Sequence, residues 1–224
     1  MAAQSPRALS SATIPHEARF AAHLVEFVQR FGSDSAGAGE VRLFFAPGRV
    51  NLMGAHLDYN GGPVMPMAID RGTFLALRPR SDGQMRIATS FEETEALLDL
   101  DDLCGGAAPL AEGCWWDYSV GVLLALNAGA DGGIDCSRGF DLYYGGDLPI
   151  GAGLSSSASV SLVTGAALNA HFGLGLSVED EIDAALWAER NFVGVMCGIM
   201  DPFAVGFAKP GSVLLLDCRD RSWE

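Results

Sequence analysis

The spacing of apolar residues along the chain predicts four helices. Apolar side chains recur every three or four positions between Phe20 and Phe31, and Gly32 ends the pattern. Ser177 and Asp180 form an imperfect capping box, which is typical of a helix start. The four predicted helices cover residues 16–31, 117–128, 155–172 and 177 to about 192.

Short apolar or alternating runs predict strands between these helices, separated by glycine, proline and polar turns. The predicted strands and apolar segments cover residues 41–46, 64–69, 73–78, 84–90, 140–144 and 212–217. Pro47 and Gly48 are expected to end the first strand, and the predicted loops cover residues 33–40, 60–63 and 99–113. Residues 1–14 are expected to be a disordered lead-in to one domain over residues 15–224. The order of elements favours an α+β fold over regular βαβ alternation.

Composition supports a packed globular protein, because 49% of the 224 residues are hydrophobic and 19% are charged. The 28 acidic and 14 basic residues give a net charge of −14, which disfavours nucleic acid and anionic membranes as partners. The five cysteines form no CxxC pair, so we expect reduced thiols and no zinc site. No signal peptide or membrane-spanning run is visible, so a cytoplasmic protein is predicted.

The strongest local motif is a glycine- and serine-rich stretch over residues 145–159, GGDLPIGAGLSSSAS. Small residues let a backbone approach a ligand, and the first N–H groups of a helix favour anions. The stretch therefore predicts a phosphate site, with Ser157 as a source of a hydroxyl for magnesium. It matches neither the P-loop nor the dinucleotide fingerprint. The alternative is a flexible turn followed by a serine-capped helix.

A second motif places polar side chains within an apolar stretch, residues 46–62, APGRVNLMGAHLDYNGG. Such polar groups need partners or a ligand. His56 and Asp58 lie two positions apart and are suited to sugar hydroxyls, whereas Arg49 is suited to a phosphoryl group or an ionised hydroxyl. The alternative is a strand end and turn with a structural arginine–aspartate pair.

A third motif surrounds Asp201 in the nearly apolar stretch GVMCGIMDPF, residues 194–203. A carboxylate in this setting is either paired or poised for chemistry. Asp201 followed by Pro202 is also a good N-cap and first position of a helix. Glu189, on the preceding predicted helix, is either an ordinary solvent-facing residue or an oxygen ligand for magnesium.

Together these three motifs resemble the galactokinase branch of the GHMP small-molecule kinases. The matching stretches are residues 48–59, residues 148–159 and residues 197–201, in the same order and at similar spacing. The resemblance implies the N-terminal GHMP kinase domain, a ribosomal protein S5 domain 2-like α+β fold whose mixed sheet carries helices on one side. It also implies ATP-dependent, Mg²⁺-dependent phosphorylation of the anomeric hydroxyl of galactose or a related sugar.

The resemblance also implies roles for individual residues. Asp201 would accept the hydroxyl proton or orient the hydroxyl, and Arg49 would align both groups. Arg49, His56, Asp58, Gly198 and Asp201 would bind the sugar. Magnesium would be held by Ser157 and Glu189. The nucleotide would be bound by Gly151, Ala152, Gly153, Leu154, Ser155, Ser156 and Ser157, with Trp116 beside the adenine.

The sequence departs from the family pattern at Ala55, where galactokinases have a glutamate that contacts the sugar's 6-hydroxyl. Its loss is expected to weaken galactose binding about 10–150-fold or to admit another sugar. Ser161 and Pro202 replace a glutamate and a glutamine. The second, C-terminal GHMP domain is also missing from the 224 residues, so association through the surface it would cover is expected.

These departures leave the catalytic activity open. The main alternative is a truncated or non-catalytic protein that binds sugar or ATP, acting as a sensor. A mevalonate- or homoserine-type kinase is a third interpretation, and His56 and Asp58 argue against it.

Overall fold

The structure is a computed structural model that describes residues 15–33, 39–105, 113–149 and 151–224. Its helices are α1 (Pro15–Phe31), α2 (Leu100–Cys104), α3 (Asp117–Gly129), α4 (Ser156–Phe172), α5 (Val178–Trp187) and α6 (Met200–Phe207). A short 3₁₀ turn (Asp58–Asn60) and a π-helical turn (Ala188–Val193) complete the helical elements of this part of the chain. The strands are β1 (Arg42–Met53), β2 (Pro63–Pro79), β3 (Gln84–Thr89), β4 (Glu95–Asp99), β5 (Phe140–Gly146) and β6 (Leu216–Asp217).

The strands form one mixed sheet in the order β1-β2-β5-β3-β4, with the short β6 paired to β2. β5 runs parallel to β3, and the other pairs are antiparallel. The predicted fold class, a mixed sheet with helices, is confirmed. The central β5 leads directly into the glycine-rich loop, so the sheet fixes where this loop begins.

The two faces of the sheet are covered by different helices. Alternate residues of β2 separate the faces: Leu75 and Leu77 join the large core with α3, α4 and α5, whereas Ala76 joins a smaller cluster with Phe27 and Phe31 of α1. Most helices therefore lie on one side, as expected, and α1 covers the other side. This arrangement follows from the two-residue period of a strand.

Several strands extend beyond their predicted bounds. β1 continues through Pro47 and Gly48. It is an edge strand, and its register with β2 shifts between Pro47 and Arg49; proline is tolerated both on edge strands and at such irregularities. The two predicted segments at 64–69 and 73–78 belong to the single strand β2. In contrast, the predicted strand over residues 212–217 contains only the two-residue β6.

The acidic stretch predicted as a loop over residues 99–113 contains structure. It begins with α2, whose N-cap Asp99 accepts hydrogen bonds from the N–H groups of Asp101 and Asp102. β4, just before it, has no counterpart in the predictions. The lead-in over residues 1–14, and parts of the loops predicted over 33–40 and 99–113, lie outside the described residues. In the described ranges, every helix is too short or too polar to cross a lipid bilayer.

Candidate active site

Arg49 and Asp201 form a two-point ion pair that joins two of the sequence motifs. Arg49 Nε donates to Asp201 Oδ1 at 2.7 Å, and Arg49 Nη2 donates to Oδ2 at 2.6 Å. Only 12% of the arginine side chain and 28% of the aspartate side chain are exposed. Such a parallel pair of bonds fixes the orientation of the carboxylate as well as its position. The fold thus joins residues 152 positions apart.

Arg49 also connects this pair to the glycine-rich loop. Its Nη1 donates to the carbonyl oxygen of Gly153 at 2.6 Å, and its backbone N–H donates to the carbonyl of Leu154 at 3.1 Å. Gly48 permits this close approach, because a Cβ there would lie 2.8 Å from the Leu154 oxygen. One guanidinium group therefore contacts both halves of the candidate site.

The glycine-rich loop has the form expected of an anion site. Gly151, Gly153 and Ser155 have φ angles of 72°, 70° and 60°, and α4 starts directly afterwards at Ser156. A Cβ added to Gly151 or Gly153 would meet no atom within 4 Å, so there is open space above the loop. No side chain caps α4, and the buried Ser155 hydroxyl has no hydrogen-bond partner. The alternative of a serine-capped helix is therefore wrong for this helix.

Asp58 caps the helix that carries Asp201. Its Oδ1 accepts hydrogen bonds from the backbone N–H groups of Ile199 at 2.8 Å and Met200 at 3.1 Å. Because α6 begins at Met200, Asp201 lies inside its first turn and is not the N-cap. The predicted N-cap role of Asp201 is wrong, and Asp58 takes that role from 141 residues away. Burial and the neighbouring Asp58 raise the pKa of the Cys218 thiol to about 12.

Gly198 lies directly against the Asp58 carboxylate. A Cβ at this position would come within 1.9 Å of Asp58 Oδ2. The two predicted sugar-binding residues are therefore in contact, although one oxygen of Asp58 is already engaged by backbone N–H groups.

His56 and Ala55 lie on the exposed turn that follows β1. His56 has a φ angle of 67°, and its Nδ1 lies 2.5 Å from the Tyr59 hydroxyl. The Asn60 amide donates to the His56 carbonyl at 2.7 Å, which holds the turn in place. Ala55 offers no polar group where the family pattern has a glutamate.

Glu189 is buried, with only 4% of the residue exposed, so the solvent-facing alternative is wrong. It lies in the π-helical turn Ala188–Val193, where the last predicted helix departs from α-helical geometry. Burial and the Glu189 carboxylate raise the pKa of the Cys197 thiol to about 12. The next residue, Arg190, donates two hydrogen bonds to the Cys197 carbonyl.

The remaining site candidates occupy defined places. Trp116 immediately precedes α3, its ring centroid lies 5.6 Å from that of Trp115, and its buried Nε1 has no hydrogen-bond partner. Ser157 is half-buried in the first turn of α4. Ser161 is fully buried and its hydroxyl is unpartnered, whereas Pro202 lies in the first turn of α6.

Two family models match this chain. One describes the galactokinase galactose-binding signature and covers residues 25–79, and the other describes the N-terminal domain of GHMP kinases and covers residues 117–209. The galactokinase of Lactiplantibacillus plantarum is 43% identical over 178 residues, covering 79% of this chain and 44% of the relative. This chain belongs to the galactokinase branch of the GHMP kinase family.

A second galactokinase and a solved galactokinase structure agree with this assignment. The galactokinase of Bacillus subtilis is 39% identical over 186 residues, covering 82% of this chain and 46% of the relative. The crystal structure of Lactococcus lactis galactokinase complexed with galactose matches with a TM-score of 0.81 and 34% identity, covering 91% of this chain and 50% of that one. A mevalonate kinase crystal structure shares the fold, with a TM-score of 0.69, 18% identity and coverage of 82% and 55%. The chain therefore spans about half the length of these galactokinases.

In this GHMP kinase domain, sequence reasoning missed two contacts of the candidate site. One is the cap that Asp58 provides to α6, and the other is the pair of hydrogen bonds from Arg190 to the Cys197 carbonyl. The first has no local sequence signal, because a capping residue normally precedes its own helix directly, whereas Asp58 lies 141 residues away. The second depends on the π-helical turn, which the period of the hydrophobic pattern does not indicate.

Proposed function

We propose that this chain provides the ATP- and sugar-binding site of a galactokinase-type kinase. The reaction is transfer of the γ-phosphoryl group of ATP to the anomeric hydroxyl of galactose or a closely related sugar. The observation that carries this proposal is the two-point Arg49–Asp201 pair, which the same guanidinium ties to the glycine-rich loop at Gly153. In this proposal Arg49 thereby fixes the distance between a phosphate site at the glycine-rich loop and a candidate proton acceptor, Asp201.

On the sugar side, Asp201 receives two hydrogen bonds from Arg49 and keeps lone pairs that can accept a bond from a sugar hydroxyl. It either takes the hydroxyl proton or aims the hydroxyl oxygen at phosphorus. Phosphoryl transfer depends mainly on positioning and charge stabilisation, so both roles are effective. His56, Asp58 and the backbone at Gly198 bind further hydroxyls in this proposal.

On the nucleotide side, GHMP kinases use ATP, and the loop of this chain fits a phosphate group. The support is the uncapped start of α4, the unpartnered Ser155 hydroxyl and the open space above Gly151 and Gly153. N–H groups from Gly151 to Ser157 would hold the phosphates, as helix N-termini do for anions. Trp116, which immediately precedes α3, lies beside the adenine in this proposal.

Magnesium is part of the proposal, held by Ser157 and Glu189. A hydroxyl and a carboxylate are the hard oxygen donors that this ion prefers, and the buried Glu189 carboxylate favours a nearby cation. In this proposal the nucleotide phosphates supply further oxygen ligands to the ion. When bound, magnesium would neutralise developing phosphate charge.

A non-catalytic protein that binds sugar or ATP is the second candidate. The observation that favours it is Ala55, which leaves the exposed turn without the family's carboxylate. A cytoplasmic location, and association through exposed surface near the site, also belong to this proposal. Mevalonate kinases share the fold with this chain, but the galactose-binding signature over residues 25–79 favours a hexose substrate.

The test measures ADP release from Mg-ATP by the purified chain, with galactose and a panel of related hexoses. Asp201→Asn is expected to lower kcat by about 10²–10⁴-fold, the range for a lost acid–base group, while Mg-ATP binding by calorimetry stays unchanged. Asp183→Asn is the matched control, since that carboxylate lies on the exposed side of α5 and pairs with Arg221.

The outcomes separate the two candidates. Hexose-dependent ADP release that Asp201→Asn lacks and Asp183→Asn retains supports a kinase. If Asp201→Asn turns over at the wild-type rate, the catalytic assignment is wrong. Tight binding of ligands without ADP release supports the binding protein.

A further inference from the structure

The end of α5 departs from a regular α-helix just before the segment that carries Asp201. The π-helical turn Ala188–Val193 follows Trp187 directly and is followed by Gly194, whose φ angle is 81°. Within this turn Glu189 is buried, whereas Arg190 is exposed. Such turns often occur at functional sites.

The turn holds Cys197 at two different atoms. Arg190 Nε and Nη2 donate to the Cys197 carbonyl oxygen at 3.1 Å and 2.8 Å. The carboxylate of Glu189 lies beside the Cys197 thiol. The intervening chain is also anchored, because the Val195 N–H donates to the Glu189 carbonyl at 2.8 Å. The position of Cys197 is therefore set by the π-helical turn.

From Cys197 the chain passes directly through the candidate sugar site. Gly198 packs on the Asp58 carboxylate, and Ile199 and Met200 donate their N–H groups to it. Asp201 follows in the first turn of α6 and pairs with Arg49. We call residues 197–201 the site segment.

We propose that Arg190 is a positioning residue for the sugar site. Its guanidinium group fixes the first residue of the site segment, and this contact holds Gly198, Ile199 and Met200 against Asp58. The catalytic meaning of this inference rests on the proposed function, but the contact itself does not. Arg190 belongs to none of the sugar, nucleotide or metal roles assigned above.

The first expected effect is on backbone protection. In Arg190→Ala the Cys197 carbonyl loses both donors, so the amide hydrogens of Ile199 and Met200 should exchange with solvent about tenfold faster, as expected for local opening. The amide hydrogens of the first full turn of α4 should exchange at the same rates in Arg190→Ala as in wild type. Hydrogen exchange followed by NMR or mass spectrometry on the wild-type and variant chains measures both.

The second expected effect is on ligand affinity. The Kd for galactose, or for the best hexose of the panel, should rise about tenfold in Arg190→Ala, while the Kd for Mg-ATP stays within about twofold. Arg190→Lys should fall between wild type and Arg190→Ala, because lysine can donate to the carbonyl but lacks the fork of arginine.

Arg42→Ala is the matched control, because Arg42 also donates to a backbone carbonyl, that of Ala170 at 2.9 Å, at the far end of α4. It should change neither the exchange of Ile199 and Met200 nor the sugar affinity. A urea midpoint measured for each variant separates local loosening from global unfolding.

Unchanged exchange at Ile199 and Met200 in Arg190→Ala overturns the inference. Faster exchange at these amides with an unaltered hexose Kd also overturns it, because loosening the site segment would then have no effect on sugar binding. If wild type binds no hexose at all, the proposed function fails, and the exchange rates still decide whether Arg190 holds the segment.

Discussion

Because Gly198 has no side chain, the Asp58 carboxylate can reach the backbone N–H groups of Ile199 and Met200. We expect Gly198→Ala to push Asp58 away, because the new Cβ would come within 1.9 Å of its Oδ2. The cost in unfolding free energy should be about 1–3 kcal/mol, as for other overpacked positions, and sugar affinity should fall as well. Urea unfolding and calorimetry measure the two effects.

Gly129→Ala serves as the control for this substitution. Gly129 ends α3, and a Cβ there meets nothing within 4 Å, so alanine should be neutral or stabilising by up to about 1 kcal/mol. Equal stability and equal sugar affinity for Gly198→Ala and wild type would show that Asp58 moves away at no cost.

Single residues were predicted well where their chemistry contrasted with their surroundings. Arg49 and Asp201 are charged groups in apolar stretches, and the structure pairs them. The uses of Asp58 as a cap and Arg190 as a clamp were not predicted. Each depends on which backbone atoms tertiary folding brings near, and a single sequence carries no direct signal of that.

At the scale of elements, an ionic cluster fixes the face of the sheet that α1 covers. Asp141 of β5 has a fully buried side chain and accepts hydrogen bonds from Arg78, Arg80 and Arg86. Burial, the largest influence, would raise its pKa, but the three guanidinium groups together hold the pKa of Asp141 below its usual range. Arg86 also stacks on the Phe31 ring of α1 at 4.1 Å, which joins the cluster to the helix.

We expect Asp141→Asn to lower the free energy of unfolding at neutral pH by about 3–5 kcal/mol, because it leaves buried arginine charge uncompensated. Since the folded pKa of Asp141 lies below the unfolded one, its contribution is present above about pH 4 and is lost as pH falls through the folded value. The variant should therefore show a smaller loss of stability on acidification, measured by urea unfolding over a pH series.

Asp82→Asn is the control for this cluster. Its side chain is 48% exposed and pairs with Arg80, so its loss should cost less than about 1 kcal/mol. A similar cost for both variants would contradict the view that buried charge compensation stabilises this face.

Helices were predicted more accurately than strands, for a physical reason. A helix shows its period over many residues, whereas β1 is held through Pro47 and Gly48 by pairing with β2, which no local pattern reveals. β4, with the sequence Glu95–Asp99, lacks β-branched residues and forms because β3 offers it an edge. The α5 capping box at Ser177 and Asp180 is complete in the structure.

At the scale of the whole molecule, large apolar side chains are exposed around the candidate site. Met53 is 65% exposed, Tyr59 66% and Met196 93%. We expect concentration-dependent self-association through this surface, measured by analytical ultracentrifugation, because exposed large apolar side chains favour burial against another molecule. Replacing both Met53 and Met196 with glutamine should reduce it.

Val25→Gln is the matched control, since Val25 is 56% exposed on α1, away from the site. If the chain stays monomeric at all concentrations, this surface does not associate. The same conclusion follows if Val25→Gln reduces association as much as the double substitution of Met53 and Met196 does.

The order of strands in the sheet also determines when the fold can be completed. β2 and β3 are close in sequence, yet β5 lies between them and pairs with both. Until β5 is synthesised, the nascent chain can form only two separate hairpins, β1–β2 and β3–β4, each with an open edge. Long-range pairing of this kind slows folding and exposes strand edges to other chains. β5, which leads into the glycine-rich loop, is therefore also the strand that joins the two halves of the sheet, so this loop takes shape only as the whole domain folds.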